Sequence, residues 1–221
     1  MENIRVESKA HDSVSERHYT YYFVKRSADI IVSLAALIVL SPLMLIISLL
    51  IYKQDKHNPI YIQERIGLHG KPFKMFKFRS MIFNADKVLM ANPMLYQEYL
   101  KNDFKLPEGK DPRVTKVGAF IRKTSLDEIP QFVNVLLGQM SLVGPRPIVQ
   151  KELHEYGKDL DEFLSVKPGA LGLWQTSGRS NIGYPERCDI ELEYVRNASI
   201  WFDTKVFFKC CISILKKDGA F

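Results

Sequence analysis

The apolar run at residues 30–52 constrains this chain most. It holds about 23 residues without a charge, enough to cross a bilayer at roughly 1.5 Å per residue. Ser41-Pro42 stands at its middle. A proline there removes a backbone hydrogen bond and kinks the helix, at about 3 kcal/mol in a soluble helix interior. Positive charge flanks both ends, with Lys25 and Arg26 before and Lys53 and Lys56 after. Cationic flanks tend to stay cytoplasmic, so the segment is expected to enter the membrane and return. Each half would then hold about 11 to 12 residues, too short to cross alone. A kinked spanning helix stays open as an alternative, because membrane helices tolerate proline.

The 221 residues suffice for one domain plus this anchor. The net charge of +6 fits nucleic acid, anionic lipid or an anionic small substrate. Cys188, Cys210 and Cys211 form no C-x-x-C pair or zinc spacing, which points to a reducing compartment. The five histidines are scattered, against a His-based metal site. Residues 1–21 read as a polar tail. They are no secretory leader, since the apolar run begins late and is too long for one.

Beyond the anchor, residues 59–81 read as a β-hairpin turning at Gly67–Gly70. In its second arm Phe73, Met75, Phe76 and Phe78 alternate with Lys71, Lys74, Lys77 and Arg79, basic residues that either line a phosphate site or form a solvated face. Residues 82–112 suggest a helix followed by an irregular stretch, and residues 148–163 another helix. A glycine-rich segment, 169–183, holds Trp174, Gln175, Gly178 and Arg179. Helices are expected again from Tyr184 and over 199–217, the last too charged to span and so interfacial.

The segment SLDEIPQFVNVLLGQMSLVGPRP, 125–147, concentrates the chemistry. Ser125 and Glu128 have capping-box spacing, which would put Asp127 and Glu128 at the positive end of an apolar helix running to Gly138. Pro130 favours a start at or after Asp127. A carboxylate in such a setting serves either as a cap or as a nucleophile toward a phosphoryl group. Arg146 is held between Pro145 and Pro147, which limits its backbone freedom. Arg122 supplies a second guanidinium, and Arg179 follows a Ser-Gly step whose N–H groups suit an anion. Asp189 and Asp203 read as salt-bridge partners unless the site folds around them. No P-loop, G-x-G-x-x-G or G-x-S-x-G occurs. His154 and Asp159 have the H-x4-D spacing of membrane glycerolipid acyltransferases, a weak rival signal.

Taken together, the Ser41-Pro42 break, Lys77-Phe78-Arg79, Ser125 to Glu128, Gly144 to Pro147, Lys167-Pro168-Gly169, Gly178-Arg179, Tyr194 to Asn197 and Asp203 resemble, in this order, the monotopic phosphoglycosyl transferases. These bacterial sugar transferases initiate capsule, O-antigen and related glycans. The resemblance runs from about residue 22 to the end.

It implies an α+β, helix-rich fold: a re-entrant helix at 22–56, then a catalytic domain at 57–221 on the cytoplasmic face of the bacterial inner membrane. It implies ping-pong transfer of a sugar-1-phosphate from a nucleotide diphosphate sugar to polyprenyl phosphate, with Asp127 as nucleophile. Glu128 would help bind Mg²⁺, to which Asp127 is the other expected ligand, or would move a proton. Lys77, Arg79, Arg122, Arg146 and Arg179 would contact phosphates, and Gln175, Asp189 and Asp203 are further substrate-binding candidates. Gly-Leu-Trp-Gln-Thr-Ser-Gly-Arg, 172–179, is closer to the hexose-1-phosphate transferases, which suggests a UDP-hexose. Longer members carry an N-terminal multi-helix region that this sequence is expected to lack. No nucleic acid is expected as a partner. A non-catalytic membrane-docked scaffold of the same fold is the alternative from another class, against which the intact Asp127-Glu128 and Arg146 argue.

Overall fold

The computed structural model describes residues 19–101, 106, 109–177 and 182–216. It is helix-rich, with small sheets and one long apolar helix. That helix, α1, is Tyr19–Asp55 and runs without interruption through Pro42. Pro42 has no N–H, so the Ile38 carbonyl loses its normal i→i−4 donor. The Ser41 hydroxyl takes that place, donating to Ile38 O at 2.8 Å. Much of α1 stays uncovered, including Ile31, Ile38, Val39 and Leu45. By length and composition it could cross a membrane.

The antiparallel hairpin expected at 59–81 is present, as β1, Ile60–Ile66, and β2, Pro72–Phe78, with Tyr61 opposite Lys77. Its turn puts His69 and Gly70 at positive φ. Alternation along β2 buries Phe73 and Met75 on one face, Phe78 is buried from the other face in a separate cluster, and Lys71 and Lys74 stay exposed. The segment expected as one helix within 82–112 is two short ones, α2, Ala85–Met90, and α3, Pro93–Lys101. Then follow α4, Lys116–Lys123, and α5, Gln131–Leu136. Residues 148–163 are mostly 3-10 helix, Gln150–Asp159, ending in a single α turn, α6, Leu160–Phe163. The chain closes with α7, Glu186–Asn197, and α8, Ile200–Lys216.

A parallel pair that the sequence reading missed sits at the centre. β3, Ser141–Val143, pairs with β4, Gly169–Leu171. Around it Met140, Leu142, Val143, Tyr194, Val195 and Val206 form the main core with Phe73 and Met75 from the hairpin. Where the residue after β3 meets the start of β4, two backbones nearly touch. A Cβ at Gly169 would lie 2.1 Å from Gly144 N, and one at Gly144 would lie 2.6 Å from Lys167 O. A second cluster joins Ile47 and Ile51 of α1 to Phe78, Ile121 and Ile129.

Gly169→Ala must therefore push two backbones apart. It is expected to cost about 2–4 kcal/mol, read as a lowered thermal unfolding midpoint of the detergent-solubilised protein. Gly157→Ala makes a useful control: a Cβ there meets nothing within 4 Å, leaving only the strain of its positive φ. Equal losses at the two positions would contradict the close-approach account.

Candidate active site

Asp127 and Glu128 lie in a 3-10 turn, Leu126–Glu128. The capping box that the Ser125–Glu128 spacing offered is absent, and the helix starts after Asp127 as Pro130 favoured. Ser125 has φ 56°, a left-handed conformation, and its hydroxyl makes no capping bond. Helix α5 starts later, with Pro130 as its N-cap, and is only six residues long. Pro130 fits there because an N-cap needs no intrahelical N–H. The acidic pair thus precedes the helix in a tight turn, closed by Glu128 N donating to Ser125 O and Ile129 N to Leu126 O.

Cations converge on the pair from separate elements. Lys77, near the end of β2, donates to Glu128 Oε1 at 2.8 Å, and both side chains are largely covered. Arg122, near the end of α4, donates through Nε to Ser80 Oγ at 2.8 Å. Gly118 brings α4 that close to Ser80, since a Cβ there would sit 1.8 Å from Ser80 O. The Thr115 hydroxyl caps α4 by accepting from Gly118 N. Burial and the Glu128 charge push the Asp127 carboxyl up to about 6, while Lys77 and Arg122 pull it down. The carboxyl is therefore held above its ordinary range yet still mostly ionised at neutral pH.

The Gly144 to Pro147 turn shares a small cleft with Glu128 of this pair, lined by Arg65, Lys77, Glu128, Gln131, Arg146 and Gln175 among others. Gly144 N donates to Leu171 O, Pro145 O accepts from Gly169 N, and Pro147 O accepts from Arg65 at 3.0 Å. The Arg146 guanidinium lies over the Trp174 ring, 5.1 Å from its centroid. Gln175 lines the cleft but turns its Oε1 to Gly172 N at 2.7 Å. Arg65 and Trp174 were not singled out as site residues from the sequence. No local pattern marks them, and burial lowers Arg65 to about 10.

Other expected residues lie elsewhere. β2 ends at Phe78, so the alternation that aims Lys77 does not govern Arg79. Arg79 is buried instead against the Asp55 carboxylate, with Asn58 O and His57 O as further acceptors. It ties the end of α1 to the hairpin and does not line the cleft. Asp203 accepts from Lys25 at 2.7 Å, from Tyr21 at 3.0 Å and from Tyr194, which makes it an anchor between α1, α7 and α8. Asp189 is exposed on α7. His154 pairs with Glu155 and Asp159 faces Arg196, so nothing joins them as an acyltransferase dyad. Gly178 and Arg179 fall outside the described residues.

Among the described residues no three His, Cys, Asp or Glu side chains gather as a metal site. The adjacent carboxylates of Asp127 and Glu128 nevertheless suit Mg²⁺, which usually takes one or two carboxylates together with substrate phosphates and water. The repulsion that raises Asp127 is what a divalent cation would offset.

Residues 20–217 match the family model described as bacterial sugar transferase. Over 204 residues the chain is 48% identical to the undecaprenyl-phosphate galactose phosphotransferase of Salmonella typhimurium, a match covering 90% of this chain and 42% of that protein. It is 43% identical to the UDP-glucose:undecaprenyl-phosphate glucose-1-phosphate transferase of Klebsiella pneumoniae, covering 83% of this chain and 38% of that one. It is 41% identical to the exopolysaccharide production protein ExoY of Sinorhizobium fredii, covering 89% of this chain and 88% of the relative. The chain thus spans less than half the length of the first two relatives and nearly all of the third.

The raised Asp127 carboxyl has a stability consequence. Its folded value, about 6, exceeds the ordinary 3.8, so folding favours the protonated form. The ionised carboxylate opposes folding as pH rises from 4 to 6 and fully above 6, but not below 4. Asp127→Asn should therefore stabilise the protein at pH 8 by about 1–2 kcal/mol, allowing for partial exposure. That gain should vanish near pH 4. Unfolding midpoints of the two proteins at both pH values check this, and a loss of stability at pH 8 would contradict it.

Proposed function

This chain belongs to the bacterial sugar transferase family, and on that premise we propose that it moves a sugar-1-phosphate from a nucleotide diphosphate sugar to polyprenyl phosphate, initiating a polysaccharide. The observation that carries this reading is Asp127, ionised at neutral pH under the charges of Lys77 and Arg122, next to Glu128, which lines one cleft with Lys77 and Arg146. The relatives' names favour undecaprenyl phosphate as acceptor and a UDP-hexose as donor.

In the first step an Asp127 oxygen attacks the phosphorus that carries the sugar. The bond from that phosphorus to the bridging oxygen of the diphosphate breaks, and nucleoside monophosphate leaves with the electron pair. The phosphosugar remains on Asp127 as an acyl phosphate. In the second step an oxygen of polyprenyl phosphate attacks the same phosphorus and Asp127 leaves as carboxylate, giving polyprenyl diphosphate sugar. Lys77, Arg122 and Arg146 hold the phosphate oxygens and spread the charge that builds in each transfer. A carboxylate near 6 is a stronger nucleophile than an ordinary aspartate and is still deprotonated at pH 7. Mg²⁺, held by Asp127 and Glu128, would neutralise phosphate charge. Lys77 holds the Glu128 carboxylate at the cleft.

The re-entrant reading of α1 is supported by where its two arms attach. Arg26 donates to Val135 O and Leu136 O, while Ile47 and Ile51 pack in the cluster that holds Ile129 and Phe132. In a straight helix Arg26 and Ile51 would lie about 37 Å apart, yet the segment 129–136 is only roughly 10 Å long. A bend near Ser41-Pro42 reconciles these contacts. It would return both ends of α1 to the cytoplasmic side, where the acceptor's phosphate lies.

Assay of the purified protein with a panel of UDP-sugars, Mg²⁺ and undecaprenyl phosphate should give UMP and a lipid-linked hexose. Asp127→Asn should lose about a thousandfold or more, and Glu128→Gln about a hundredfold. Below pH 6 the kcat/KM of the wild type should fall about tenfold per pH unit as Asp127 protonates. A folded Asp127→Asn protein of near-normal activity would sink the assignment. For topology, Arg5→Cys in intact cells should resist a membrane-impermeant thiol reagent. Labelling from outside would instead establish a spanning helix.

A further inference from the structure

The Arg146 turn has few ways to hold itself. Pro145 and Pro147 carry no N–H, so the Arg146 N–H is the sole backbone donor across 145–147. It points at Glu191 on α7, and both carboxylate oxygens accept from it at 3.2 Å. Glu191 is completely buried. A buried carboxylate is costly unless its lone pairs and charge are met. Arg187, one helical turn earlier on α7, and Arg146 from the facing turn supply the opposing charge. Among the described residues the Tyr156 hydroxyl and the Cys188 thiol also feel Glu191.

The same helix also reaches the far end of Arg146. Arg187 lies 4.9 Å from the centroid of the Trp174 ring, the ring over which Arg146 lies. Two residues of α7, four apart, thus bear on Arg146, one through its backbone and one through the ring it stacks on. Among the described residues no carboxylate bonds the Arg146 guanidinium, which leaves its N–H fork for an anion.

We propose that Glu191 is a positioning residue for phosphoryl transfer. By gripping the Arg146 N–H it sets the direction in which the guanidinium meets the donor phosphate. The proposal rests on the reading of Arg146 as a phosphate-binding group. Its grip depends on charge, because an ionised carboxylate accepts a hydrogen bond more strongly than a carboxyl or an amide. Burial pushes Glu191 up to about 7, against the pull of Arg187 and Arg146. The grip is therefore full at pH 8 and loosens toward pH 6.

The test is a double-mutant cycle on the full chain with a UDP-sugar and undecaprenyl phosphate. It compares kcat/KM of wild type, Glu191→Gln, Arg146→Ala and the double variant at pH 6 and pH 8. Glutamine keeps the size and one acceptor oxygen but carries no charge. Glu191→Gln should lower kcat/KM about tenfold at pH 8. At pH 6 the gap should close to less than about threefold, since the wild-type residue is then largely protonated. Asp127 titrates in both proteins and cancels from the ratio. In the Arg146→Ala background the Glu191 change should have no further effect.

A deficit in Glu191→Gln that is the same at both pH values, or one that adds in full to Arg146→Ala, would overturn the proposal and leave Glu191 as packing. Full activity of Glu191→Gln at pH 8 would overturn it as well. If Arg146→Ala alone keeps near-normal activity, the phosphate-binding reading fails first, and the proposal falls with it.

Discussion

Three charged side chains at the start of α1 fasten this long apolar helix to the domain, and the position of the candidate site depends on them. Asp29, 4% exposed, accepts from Ser141 Oγ at 3.0 Å and Leu142 N at 2.8 Å. Arg26 donates to the last carbonyls of α5, where helix termini lack partners. Lys25 donates to Val143 O and pairs with Asp203. All three take hold within residues 135–143 or beside them, the link between the Asp127 turn and the Arg146 turn. Lys25 and Asp203 are largely covered, so removing either leaves its partner without an opposite charge, at a cost of about 1–3 kcal/mol. At the far end Arg79 and Asp55 repeat the device. The apolar face of α1 and the candidate cleft are therefore held in fixed relation, as the proposed transfer between a nucleotide sugar and a lipid phosphate would require.

Two opposing effects meet at Asp127. Burial and the neighbouring Glu128 disfavour its charge, and Lys77 and Arg122 favour it. Burial wins by enough to lift the carboxyl to about 6, but not enough to protonate it at neutral pH. The same arrangement makes the site intrinsically unfavourable for folding, a common cost of a charged active site. The rigid turn at Gly144 to Pro147 completes the constellation from another element, fastened by Leu171 O, Gly169 N, Arg65 and Glu191.

What could be read from the sequence follows from range. The hairpin was legible because alternation and a glycine-bounded turn are local signals, and α1 because its apolar run is long. The β3–β4 pair was not, since three-residue strands among glycines carry no period. The acidic pair was found, and Pro130 pointed to a helix start after Asp127, but the capping box that spacing offered is absent. Ser125 adopts a left-handed backbone that spacing cannot reveal, and Pro130 delays the helix. Arg79 was placed with Lys77 by spacing, although the strand ends between them. Trp174, Arg65 and Glu191 gain their meaning only from partners tens of residues away, and Asp203 proved to bind Lys25 and the Tyr21 and Tyr194 hydroxyls.

The central claim is that Asp127 carries the phosphosugar between two half-reactions. It is tested most directly by mixing the purified protein with UDP-hexose and Mg²⁺ in the absence of any lipid acceptor, then measuring the intact mass. A gain of one phosphohexose per active site is expected, with UMP released in equal amount and an adduct that hydroxylamine removes. Nucleotide release that strictly requires polyprenyl phosphate, with no adduct at any time, would contradict it and make Asp127 a base or a metal ligand in a direct transfer.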